Sequence, residues 1–130
     1  MVSSANDSDF AVKAVTKVLD RKVFTAGKTI FNEGQTGTIA YILLRGDVTI
    51  YAGLGTPNQR ELMKVKPGQM FGELALMADA HRTASATTEH GCELLTVSQD
   101  KLKQKLEDAD PFVRYWIEYL SKRVIDLSIK

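Results

Sequence analysis

Tyr41-Ile42-Leu43-Leu44-Arg45-Gly46-Asp47-Val48-Thr49-Ile50-Tyr51 reads as two apolar runs, rich in β-branched and aromatic residues, joined by a turn centred on glycine. Short runs of this kind bounded by turn residues are the mark of strands. The same rhythm continues on both sides. Val23-Phe24, Thr29-Ile30-Phe31, Ala40–Leu44, Val48–Tyr51, Glu61–Val65, Ala84–Thr88 and Cys92–Val97 are the predicted strands. Glycines at 27, 34, 37, 46, 53, 55, 68, 72 and 91 punctuate them. Many short strands with regular turns predict a mainly β fold, an antiparallel sandwich or barrel. Arg45-Gly46-Asp47 matches a cell-adhesion tripeptide, but between two strands it reads as a hairpin turn.

Helices flank this β region. Residues 1–9 are small and polar and read as a mobile lead-in. Phe10, Val12, Ala14, Val15, Val18 and Leu19 recur at helical spacing, which predicts a helix over 8–20. After Val97, Ser98 is an N-cap and Leu102 and Leu106 share a face. Asp110-Pro111 opens a final helix, and Phe112, Tyr115, Trp116, Tyr119, Leu120, Val124 and Leu127 form an apolar stripe along it. The chain reads as one domain over 1–130: a helix at 8–20, a β-roll at 22–97, and two helices at 98–130.

One segment breaks the β pattern. Glu73-Leu74-Ala75-Leu76-Met77-Ala78 holds only good helix formers, and Gly72 precedes it. The first N–H groups of a helix lack intrahelical partners and carry partial positive charge, and glycine lets an anion come close. Nine residues after Glu73 comes Arg82, whose guanidinium can grip a phosphate through two parallel hydrogen bonds. Glu73 would repel a phosphate, but it can accept from a sugar hydroxyl. A cation for phosphate and a carboxylate for a sugar describe a small nucleotide.

Composition narrows the classes. Of 130 residues, 44% are hydrophobic and 25% charged, as in ordinary globular proteins. Lys plus Arg number 17 and Asp plus Glu 16, so a net charge of +1 gives no electrostatic case for nucleic acid or an anionic membrane. No apolar run approaches the ~18 residues that span a bilayer, and no signal peptide is seen, so a cytoplasmic location is expected. Cys92, the only cysteine, sits among apolar residues as a buried structural thiol. A metal-dependent jelly-roll enzyme or a phosphodiesterase needs a cluster of His and carboxylate ligands. Only His81 and His90 exist, the first expected in solvent beside the pocket and the second in a turn. No catalytic residue, metal or cofactor is expected.

Phe71-Gly72-Glu73-Leu74-Ala75-Leu76 followed by Arg82-Thr83-Ala84 resembles the phosphate-binding cassette of cyclic nucleotide-binding domains, as in catabolite activator proteins, protein kinase A regulatory subunits and cyclic-nucleotide-gated channels. Upstream, Phe24–Gly34, Tyr41–Val48 and Pro67-Gly68-Gln69-Met70 resemble the family's opening strands, hairpin and lead into the cassette. The likeness covers about residues 20–125. It implies an antiparallel β jelly roll holding a short phosphate-binding helix, with one N-terminal helix and two C-terminal helices that act as a lid. It implies a cassette over 71–84 in which Phe71, Gly72, Glu73, Leu74, Ala75, Arg82, Thr83 and Ala84 bind ligand. Glu73 would accept from the ribose 2′-OH, Arg82 would pair with the cyclic phosphate, and N–H groups near Gly72, Leu74, Ala75 and Thr83 would add hydrogen bonds. Asp79-Ala80-His81 departs from the family's usual glycine or proline before the arginine.

The ligand expected is cAMP in preference to cGMP; a hydroxyl at Thr83 could favour guanine. Tyr119 and Arg123 are candidates to cover the base, beside Tyr115 and Trp116; Trp116 and Tyr119 could instead pack the helix on the roll. The expected role is a sensor that signals by repositioning its C-terminal helices, with a protein effector touching them. The alternatives are an interaction module with a vestigial pocket, or a regulatory fragment of a larger channel, kinase or transcription factor. No helix-turn-helix follows the roll before Lys130.

Overall fold

The computed structural model describes residues 12–76 and 81–129. The predicted lead-in at 1–9, the first part of the predicted N-terminal helix, and Met77–Ala80 lie outside the described residues. Eight strands follow in chain order: β1 Asp20–Phe24, β2 Thr29–Phe31, β3 Ile39–Gly46, β4 Val48–Ala52, β5 Arg60–Val65, β6 Met70–Phe71, β7 Ser85–Thr87 and β8 Cys92–Ser98. They form two antiparallel four-stranded sheets, ordered β1-β8-β3-β6 and β2-β7-β4-β5. A 3₁₀ helix, Glu73–Leu76, lies between β6 and β7, and helices α1 (Gln99–Glu107) and α2 (Pro111–Ile129) follow β8.

Phe31, Tyr41, Leu43, Val48, Val65, Phe71, Ala86, Cys92 and Leu94 pack between the sheets. Burial there pushes the Cys92 thiol up from its ordinary pKa, as for an inert structural cysteine. In the first sheet Ala40–Leu43 and Leu94–Leu95 are buried without alternation, which means that both faces are covered. β1 and β5 are edge strands, and their residues are mostly exposed.

Two expectations are corrected. Helical residues end at 16, and Asp20, Arg21 and Lys22 are strand, paired with Thr96, Leu95 and Leu94. Cross-strand bonding to β8 overrides the helical spacing of a short segment. β6 escaped the sequence reading because two residues are too few to show alternation. Both helix caps stand as expected. Ser98 Oγ accepts from Lys101 N at 3.1 Å, and Asp110 Oδ1 accepts from Phe112 N at 2.9 Å.

Arg45-Gly46-Asp47 is the β3–β4 turn, with Gly46 in the left-handed region (φ +93). Arg45 pairs with Glu93 at 2.9 Å. The Asp47 carboxylate accepts from the N–H groups of Glu89 (2.8 Å) and His90 (2.9 Å), tying this hairpin to the β7–β8 turn. Partial burial pushes the Asp47 pKa up, but these N–H groups and the His90 imidazole outweigh it and hold it below the ordinary carboxylate value. Asp47→Ala is therefore expected to cost about 1 kcal/mol of stability near neutral pH. The loss should be full above the ordinary value of 3.8 and should fade as the pH falls through the lower folded-state value. Urea melts of both proteins across this range check it; a difference undiminished in strong acid contradicts the assigned role.

Candidate ligand site

The sheets converge around one side chain. Arg82 follows the cassette and precedes β7, and its backbone is stitched to the β2–β3 loop: Arg82 N donates to Gln35 O at 2.7 Å, and Gly34 N donates to Arg82 O at 2.8 Å. Its side chain then runs into the interior and is only 8% exposed. Nη1 donates to Gly72 O at 3.1 Å, and Nη2 donates to Ile39 O at 2.6 Å. The guanidinium carbon lies 4.1 Å from the centroid of the Phe31 ring. That ring belongs to a cluster with Tyr41 and Phe71, whose centroids are 5.4 to 6.2 Å apart. Nε is enclosed and has no hydrogen-bond partner among the described residues. Burial lowers the Arg82 pKa from its ordinary value, and the neighbouring Tyr41 hydroxyl opposes that shift. Burial raises Tyr41. An arginine nevertheless stays charged at neutral pH. Two carbonyl dipoles and an aromatic face only partly replace the water this charge has lost, since they engage two of the five N–H groups.

A cavity of about 190 Å³, open to solvent, lies against Arg82. Phe71, Gly72, Glu73, Leu74, Ala75, Arg82, Thr83 and Ala84 all line it, so the structure gathers all eight cassette residues named above. Gly72 turns the chain from β6 into the 3₁₀ helix at φ +71, and a Cβ there would fall 2.7 Å from Arg82 Nη1. Its carbonyl also accepts from Ala75 N at 3.2 Å, which closes the helical turn. The N–H groups of Glu73 and Leu74 precede that bond and find no partner within the turn. Glu73 and Thr83 are exposed at the rim, while Ala75 and Ala84 are buried below. Glu73 forms no ion pair with Arg82, so neither charge cancels the other within the described residues.

The opposite wall is apolar: Phe31, Ile50, Met63 and Met70. The sequence reading missed these residues. Ile50 and Met63 come from neighbouring strands β4 and β5, where they are cross-strand partners, and only that pairing puts them opposite the cassette. Met63 and Met70 keep 44% and 45% of their surface exposed, unusual for methionine in a folded domain, and both borders of the cavity are thereby soft and apolar. His81 is exposed at the rim, as expected from the sequence.

Tyr119 and Arg123 do not line this cavity. They lie on α2, where Arg123 Nη1 donates to Tyr119 Oη at 3.2 Å. Trp116 stacks on Phe112, and Tyr115 on Tyr119, within the same helix. Trp116 is 53% exposed, so it does not seal the helix against the roll. His90 sits in the β7–β8 turn, as expected, and there with Asp47 and Glu89 it brings side-chain ligand atoms within 4.8 Å of one another. The Asp47 oxygens there already accept backbone N–H groups, which accounts for the cluster as a turn clamp.

The family model described as cyclic nucleotide-binding domain matches residues 21–109. A CRP-like cAMP-activated global transcriptional regulator of Mycobacterium tuberculosis is 34% identical over 116 residues, covering 88% of this chain and 51% of that protein. The chain thus spans about half the length of this relative. Among solved structures, the halfsite-occupied form of the EAL enzyme Bd1971 superposes with a TM-score of 0.76 at 27% identity, covering 85% of this chain and 99% of that one. The Thermus thermophilus catabolite activator protein gives 0.69 at 25% identity, over 91% of this chain and 55% of that one. No helix among the described residues is long and apolar enough to cross a membrane.

Proposed function

The chain belongs to the cyclic nucleotide-binding domain family, and from this we propose that it is a non-enzymatic receptor for a purine cyclic monophosphate, cAMP in preference to cGMP. The observation that carries the reading is the buried Arg82 guanidinium, with only two of its five N–H groups bonded, at the wall of a cavity that also holds Glu73. A ring phosphate supplies the compensating negative charge, and charge-assisted bonds to it are the strong kind. The N–H groups at the start of the 3₁₀ helix face the same anion. Glu73, exposed at the rim and in no ion pair among the described residues, accepts from the ribose 2′-OH. The purine lies along Ile50, Met63 and Met70, where burying its faces is favourable. That the Mycobacterium tuberculosis relative is cAMP-activated supports the choice of adenine. Thr83 at the rim is placed to contact a base folded over its sugar.

Signalling follows from differential binding: a ligand shifts a conformational equilibrium only by holding one state more tightly. Gln99, the first residue of α1, donates its backbone N–H to Thr38 O at 2.8 Å and its side-chain amide to Ala75 O at 3.5 Å. α1 therefore touches both the loop beside Arg82 and the cassette helix. Ligand that reshapes the cassette repositions α1 and α2, and Tyr119 or Arg123 then reaches the base as a lid. The exposed aromatic residues of α2 offer a surface for a protein effector.

Calorimetry with cAMP and cGMP tests the reading: binding of either in the micromolar range or tighter supports it, and binding of neither sinks it. Arg82→Ala is expected to weaken binding about ten- to a hundredfold, the worth of ~1.5–3 kcal/mol for a charged hydrogen bond. Glu73→Ala should weaken cAMP binding but leave 2′-deoxy-cAMP nearly unaffected; equal losses on both ligands contradict the ribose contact. Amide NMR spectra should show shifts at 99–129 on saturation, and an unchanged helical region would refute the lid.

A further inference from the structure

Eight of the nine glycines have positive φ, a backbone state that favours glycine. Gly37 is the exception, so its backbone gives no reason for glycine. Its surroundings do. A Cβ built at Gly37 would fall against Arg82 Nε and lie 2.5 Å from Cζ and 2.6 Å from Nη2. Real Cβ atoms do not approach that closely, so either the guanidinium or the loop would have to move.

The loop is pinned on both sides of Gly37. Gly34 and Gln35 are hydrogen-bonded to the Arg82 backbone, and Thr36 bridges to His81. Thr38 O accepts from Gln99 N, and Ile39 is the first residue of β3, paired with Ser98. The arginine side chain is the more mobile party: its end is held by two hydrogen bonds and a ring face. On the loop side of the guanidinium lies a second concavity, lined by Gln35, Thr36, Gly37, Thr38 and Arg82 among others, so the floor of the arginine seat is thin.

We propose that Gly37 is a positioning residue: the space left by its missing side chain is the seat that holds the Arg82 guanidinium in line for the phosphate. This rests on the cyclic-nucleotide reading above. With Ala at 37, the guanidinium gives up Ile39 O and swings into the cavity it now borders. Affinity falls although Gly37 itself touches no ligand.

The test is a double-mutant cycle with Arg82→Ala, read by calorimetry with cAMP. Alanine ends at Cβ and so lacks Nε, Cζ and Nη2, the three atoms that a Cβ at 37 would meet. Gly37→Ala is expected to weaken binding at least tenfold in the native background and less than twofold in the Arg82→Ala background. Equal losses in both backgrounds, or no loss in the native one, overturn the proposal. Should Gly37→Ala alone fail to fold, Gly37→Ala/Arg82→Ala must fold for the proposal to stand. The seat is also read without ligand: the Arg82 Nε–H resonance, assigned by its loss in Arg82→Ala, should shift and exchange faster in Gly37→Ala. An unchanged resonance overturns the proposal. Failure of the native protein to bind cAMP or cGMP counts against the function reading alone, because this resonance needs no ligand.

Discussion

Arg82 carries a full positive charge into a part of the molecule otherwise made of aromatic rings and backbone, with 8% of its surface left in water. Moving a cation from water costs several kcal/mol unless its donors are matched. Two carbonyls, from Gly72 and Ile39, take one N–H each, and Phe31 lends the face of its ring. Three N–H groups are left over, and the enclosed Nε has no partner among the described residues. A chain selected for stability alone would replace this side chain with an apolar one. Retaining it is intelligible when an anion completes the set.

The roll is arranged to build that seat from distant parts of the chain. β2 brings Phe31, the start of β3 brings Ile39, the turn after β6 brings Gly72, and the segment before β7 brings Arg82 itself. β2 and β7 pair in one sheet, and β3 and β6 pair in the other. The guanidinium thus bridges the two sheets. The aromatic cluster of Phe31, Tyr41 and Phe71 joins the same sheets beneath it. Site and core are continuous, so a change in the seat is felt in the packing, which has discrete arrangements and does not deform smoothly.

The C-terminal helices stand in a different regime. α1 is capped by Ser98 and bonded at its first residue to both the arginine loop and the cassette helix. α2 carries large exposed apolar side chains, among them Phe112, Tyr115, Trp116 and Leu127, that stack along its own length. A helix with few tertiary contacts belongs to the low-stability end of a fold, which is where moving parts are drawn from.

Local chemistry was legible in the sequence because it acts over a few residues. The strand runs, the glycine turns, the caps at Ser98 and Asp110, and the order of Gly72, Glu73 and Arg82 all depend on neighbours within about ten positions. The sheet register was not legible, since pairing partners such as Asp20 and Thr96 lie far apart in the chain and short strands carry little pattern. For the same reason the helical spacing before Asp20 misled, and Ile50, Met63 and Met70 gave no sign that they face the cassette. Gly37 reads in sequence as one more turn glycine. Only the folded chain reveals that its ordinary backbone needs no glycine and that a guanidinium from 45 residues away occupies the place of its side chain. Sequence determines which groups are available; tertiary packing decides which of them share the same few ångströms, because burial and steric exclusion act between surfaces that the linear order does not bring together.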